Sequence, residues 1–235
     1  MKTNCFKFLG ILLVAAFALS GCKKDSDDSS NEEYQAPSFA SKYQVVEVPA
    51  KLSASDDSNA QIAASYMAMA NAFSGYSAYF TVPENAVQSK TKSSGTIYTW
   101  SYDGTTVKLV YSDDETYRYW AWYINDVKFM DCKEAIGGKS GSFNIYDIER
   151  GGVAVIVYNW DQTATIAHAT MKLVGEESYF FEISTSLNGE SGQFDVYQGA
   201  SASGSHIANV TWLSNGSGSW WLIGDGTKYS GSWTA

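Results

Sequence analysis

Cysteine, proline and histidine are all scarce in this chain, and each scarcity removes a class of answer. Three cysteines in 235 residues, at Cys5, Cys22 and Cys132, are too few for a disulfide framework. The three prolines, Pro37, Pro49 and Pro83, all precede residue 84, so nothing after them forbids continuous strand pairing. His168 and His206 stand far apart in sequence, and neither has a second histidine or a cysteine at metal-ligand spacing. Basic residues are outnumbered, 16 against 25 acidic, giving a net charge of −9. That balance argues against nucleic acid or an anionic membrane held by a basic face. No apolar run reaches the roughly 20 residues a membrane-spanning helix needs.

The one apolar run present, Phe8 to Leu19, follows Lys2 and Lys7 and ends in Leu19-Ser20-Gly21-Cys22. A short positive region, a short apolar core and small residues are the parts of a signal peptide. This tetrapeptide resembles the lipobox of bacterial lipoproteins. The resemblance implies a diacylglyceryl group on the Cys22 thiol, cleavage after Gly21 and acylation of the new amino terminus. Residues 1–21 are then a signal peptide, and residues 22–36 a lipidated cysteine with a polar, acidic tether that buries no apolar surface. Several acyl chains hold a protein on a membrane without spanning it, at about 0.8 kcal/mol per buried methylene. Cys22-Lys23-Lys24-Asp25, with further acids close behind, is also similar to the start of Bacteroidota-type surface lipoproteins. That likeness implies the outer membrane and its outer face.

Processing would leave 214 of the 235 residues, and with Lys2 and Lys7 gone 14 basic residues would face 25 acidic ones, a balance of −11. Cys132 would be the remaining free thiol, so stability must come from packing, for which 16 Tyr, 11 Phe and 8 Trp supply large buried areas. Residues 37–235 read as one β-rich domain with a helix near 57–73, where Ile62, Tyr66, Met69 or Ala70 and Phe73 recur at helical spacing. Asp56 or Asp57 is placed to cap its start, and Gly75 to end it. Beyond Ser94 the period becomes two. Aromatic strands alternate with turn formers such as Asp103-Gly104, Asn125-Asp126 and Asp225-Gly226.

The expected fold is mainly β: an antiparallel meander of about eleven strands, curled into a curved sheet or open barrel, with one N-terminal helix. That architecture is similar to periplasmic lipoprotein carriers and, more distantly, to lipocalins. An internal echo fits it. Ser140-Gly141-Ser142-Phe143-Asn144-Ile145-Tyr146 matches Ser191-Gly192-Gln193-Phe194-Asp195-Val196-Tyr197, and Ser217-Gly218 and Ser230-Gly231 repeat the opening. The glycines read as bends or bulges that open a strand.

Catalytic patterns fail one by one. Gly138-Lys139-Ser140 mimics the end of a phosphate loop, but Lys133 stands where the first glycine belongs. There is no G-x-S-x-G elbow. Acid pairs such as Asp113-Asp114 and Glu176-Glu177 fall in expected turns. The sequence therefore points to a non-enzymatic protein with no cofactor and no metal. What it has in excess is aromatic surface: along Tyr117–Tyr123, Trp120 and Trp122 oppose Tyr117, Tyr119 and Tyr123. The expectation is that Trp120 and Trp122, with Trp160, Trp212 and Trp221, line a sheet face that binds a glycan or an apolar ligand. The alternative is a structural lipoprotein whose sheet contacts a partner protein and has no small-molecule site.

Overall fold

The computed structural model describes residues 48–72, 82–90 and 95–235. The segments expected to be a signal peptide and a tether, with Cys22, Phe73 and Gly75, lie outside them. Among the described residues two helices, α1 (Ala50–Ser53) and α2 (Ser58–Ala72), precede thirteen strands. These are β1 (Val87–Lys90), β2 (Thr96–Tyr102), β3 (Thr105–Asp113), β4 (Tyr117–Ile124), β5 (Val127–Ala135) and β6 (Ser140–Asp147). There follow β7 (Val153–Gln162), β8 (Ile166–Leu173), β9 (Tyr179–Ser186), β10 (Gly192–Gln198), β11 (Ser205–Trp212), β12 (Gly218–Gly224) and β13 (Thr227–Trp233). Each strand pairs antiparallel with its neighbour in sequence, giving one curved, unclosed sheet in the order β1 to β13. The meander expected from sequence is present, with thirteen strands in place of about eleven. One that sequence reading missed is β1, whose Val-Gln-Ser-Lys has no aromatic alternation to announce it.

Three tight turns follow from their chemistry. Asp103-Gly104, Asn125-Asp126 and Asp225-Gly226 all adopt positive φ, between 47° and 75°, at both central residues. That is the twist a two-residue hairpin needs, and Asn, Asp and Gly enter it at least cost. Asn125 adds a bond of its own, its Oδ1 accepting the Thr106 amide at 3.1 Å.

Strand alternation sets one face inward. Trp120, Phe181, Phe194, Met130 and Met171 are 1% exposed or less. Three register shifts, between Trp122 and Tyr123, Ile145 and Tyr146, and Val196 and Tyr197, each leave one residue unmatched on the partner strand. Those residues are Phe129, Val155 and Ile207, and all three pack against the core. A bulge here adds an apolar side chain to the interior while bending the sheet.

Helix α2 lies where expected but turns differently. Asp57 accepts the Asn59 amide at 2.8 Å, the capping role anticipated for it. Its buried face, however, is Ala60, Ala63, Ala64 and Met67, and Ile62 is 43% exposed. Small side chains at i, i+3 and i+4, followed by Met67 at i+7, let the helix approach β11, β12 and β13 more closely than a stripe of large residues would. Tyr66 on the flank meets Phe181 at a ring separation of 6.3 Å.

Candidate functional site

Four of the five tryptophans expected to line a ligand face lie on the core side of the sheet. Trp120 is 1% exposed and tilts against Tyr111, with ring centres 5.6 Å apart. Trp122 packs on the core between Trp100 and Phe129. The expected opposition of faces along β4 holds, but the outward set is Tyr117, Tyr119 and Tyr123. The assignment of Trp120 and Trp122 to the ligand side is therefore corrected: the larger, more apolar indoles are taken by the core, and the phenols, with their hydroxyls, face water.

Trp160 and Trp212 have a different employment. A Cβ at Gly141 would overlap the Trp160 ring, and one at Gly192 would overlap Trp212. Gly218 and Trp233 repeat the relation. The indole nitrogens then donate to turn carbonyls: Trp160 to Gly138 at 3.4 Å, Trp212 to Gly189 at 3.1 Å and Trp233 to Gly216 at 2.9 Å. The echoed glycine is therefore not a bulge. It is bare backbone left open for the ring of the next strand.

Trp221 alone of the five faces outward, and it does so in company. Its ring meets His206 edge-on at 4.6 Å, and His206 stacks on Tyr197 at 4.6 Å and 21°. Phe180 lies 6.2 Å beyond Tyr197. These residues come from β9, β10, β11 and β12, brought together because their neighbours Phe181, Val196, Ala208 and Leu222 point inward. Beneath the rings is a carboxylate fixed by its surroundings. Asp195, with 7% of its side chain exposed, accepts from Asn209 at 2.8 Å and from Gln193 at 2.6 Å. His206 Nε2 lies 2.9 Å from the same carboxylate but off the line of a hydrogen bond. Lys228 holds its ammonium 4.1 Å from the centre of the Trp221 ring.

Beside this group, Glu182 is the register partner of Asp195 on β9. Glu182 reaches His168 Nε2 at 3.2 Å, while Asp161 meets the Nδ1 at 3.0 Å. Burial works against a charge on His168, but the bonds to Asp161 and Glu182 outweigh it and its pKa is raised. Burial, with Asp195 and Glu182 nearby, likewise raises the Tyr197 hydroxyl. Sequence reading treated both histidines as isolated strand residues, and it passed over Asp195 and Tyr197. The signal was there in the alternation Phe194-Asp195-Val196-Tyr197, which sends the acid and the phenol outward together.

Among the described residues, no group of three His, Cys, Asp or Glu side chains is placed to hold a metal ion. Cys132 is buried on the core side, and burial pushes its thiol far up from the ordinary range. No protein-family model matches the chain, and no curated protein is significantly similar to it. What the outward cluster can do chemically is therefore read from its own geometry. It offers ring faces for C–H surfaces and a neighbouring set of acceptors and amide donors for hydroxyls.

Proposed function

We propose that this chain is a non-enzymatic lipoprotein, anchored through Cys22 at the outer membrane, that binds a glycan on the outward face of its sheet. The observation that carries this reading is the contact array Tyr197–His206–Trp221 over the bonded carboxylate of Asp195. A sugar ring has an apolar face that stacks on aromatic rings and a rim of hydroxyls that needs paired donors and acceptors. Asp195, Asn209 and Gln193 are held in place by one another, so their orientation costs little when a ligand arrives. The carboxylate and amides beside the rings suit the hydroxyl rim of a sugar and have no use for a purely apolar ligand, which favours the glycan.

The deciding experiment is affinity electrophoresis in gels containing soluble xylan, mannan, laminarin or polygalacturonate, with intrinsic tryptophan fluorescence as a second readout. At least one polymer is expected to retard the wild-type chain, and Trp221→Ala to weaken that retardation by about 1 kcal/mol with little change in melting temperature. Equal retardation of wild type and variant, or none of either, removes this site from the reading.

A further inference from the structure

The outward face carries two polar clusters of like composition, with the aspartate and the asparagine exchanged relative to the sequence echo. Asn144 and Asp195 occupy equivalent places in the two echoed heptads, and Tyr146 and Tyr197 follow two residues later. Asp195 on β10 accepts the amide of Asn209 on β11 at 2.8 Å. Asn144 on β6 donates its amide to Asp131 on β5, also at 2.8 Å. Both are cross-strand aspartate–asparagine pairs in direct register. Each aspartate also has a nitrogen cation or imidazole beside it, Lys128 at 3.1 Å from Asp131 and His206 at 2.9 Å from Asp195. In each unit that nitrogen group lies against the tyrosine: Lys128 is 5.7 Å from the Tyr146 ring centre, and His206 stacks on Tyr197. The Tyr146 hydroxyl closes the first unit by donating to Asp131 at 2.8 Å.

From this repetition, and resting on the glycan reading above, we infer that Asp131, Asn144, Tyr146 and Lys128 form a second saccharide site, so that the ligand is a polymer with a repeating unit engaged at two places. The two units lie five strand steps apart, about 24 Å along the sheet at roughly 4.8 Å per step. The strands between them turn polar side chains outward, including Asn159, Thr170 and Lys172. Two linked contacts turn the second binding event into an intramolecular one, so a long polymer gains affinity that a short fragment cannot.

The test compares a polymer that retards the chain with its own fragments of two to four sugars. Titration calorimetry of the full chain with the fragment is expected to give two fragments bound per chain, falling to one in Trp221→Ala and to one in Tyr146→Ala. The polymer is expected to bind on the order of a hundredfold tighter than the fragment and to lose most of that gain in either variant. Lys128→Gln, a change at a half-buried position, repeats the test should Tyr146→Ala lower the melting temperature. One fragment per chain, abolished by Trp221→Ala and untouched by Tyr146→Ala and Lys128→Gln, overturns the second site and leaves the first standing. Binding of neither polymer nor fragment overturns both.

Discussion

The indole of Trp212 occupies the space beside Gly192 of the adjoining strand and donates to the Gly189 carbonyl at 3.1 Å. A methyl group at residue 192 would meet both that ring and the Ser184 carbonyl oxygen, 2.7 Å away. Neither can retreat without disturbing the β9–β10 ladder. Gly192→Ala is expected to cost about 1–3 kcal/mol, the usual range for overpacking, and chemical denaturation measures it. A variant as stable as wild type would mean that the ring and backbone give way freely here.

Trp120 and Trp221 sit on opposite faces, and truncation separates them. Trp120→Ala removes a ring that is 1% exposed and is expected to destabilise the fold by about 3–5 kcal/mol. Trp221→Ala should change the melting temperature far less. Comparable thermal losses in the two variants would contradict the assignment of Trp221 to the outward face.

The bracket of Asp161 and Glu182 around His168 makes a pH prediction with a definite sign. The imidazole's pKa lies above its ordinary 6.5 in the folded chain, so folding holds the proton more tightly than the unfolded state does. Stabilisation from this pairing is fully present below pH 6.5 and fades as pH rises through the raised folded value. His168→Asn should therefore melt below wild type at pH 5.5, and the gap should narrow by pH 8.5. A gap independent of pH would show that the variant acts through packing.

Much of the fold was legible because its signals are local. Asp103-Gly104 and Asn125-Asp126 state their turns, and two-residue alternation states the strands. The facing of β4 was harder. Tyr117, Tyr119, Trp120, Trp122 and Tyr123 are all large and aromatic, so alternation divides them into two sets without saying which is inside. That choice is made by rings on the strands before it, such as Tyr111 and Trp100, which supply apolar contacts on one side. The candidate site was missed for the same reason: His206, Trp221 and Asp195 lie on three strands, and only the register brings them together.

Lys228 competes with any ligand for the Trp221 ring face. A cation over an exposed ring contributes about 0.5–1 kcal/mol, so Lys228→Ala should tighten binding of a neutral glycan roughly two- to fivefold. Weaker binding would instead make the ammonium part of the ligand's own contacts.

Cys22→Ser should abolish acylation and leave the chain uncleaved. Intact-mass analysis of the membrane fraction reads the outcome, and a wild-type chain carrying no acyl mass would refute the lipobox reading.

Every strand of this sheet bonds only to the strand before it and the strand after it. The chain therefore never has to close a long loop to make a native pairing, and the entropy lost at each step is that of a hairpin. Long-range β pairings ordinarily make all-β proteins slow to fold. Here the sheet can grow hairpin by hairpin from whichever turn forms first, so a chain still being synthesised can gain structure before its last residue is made.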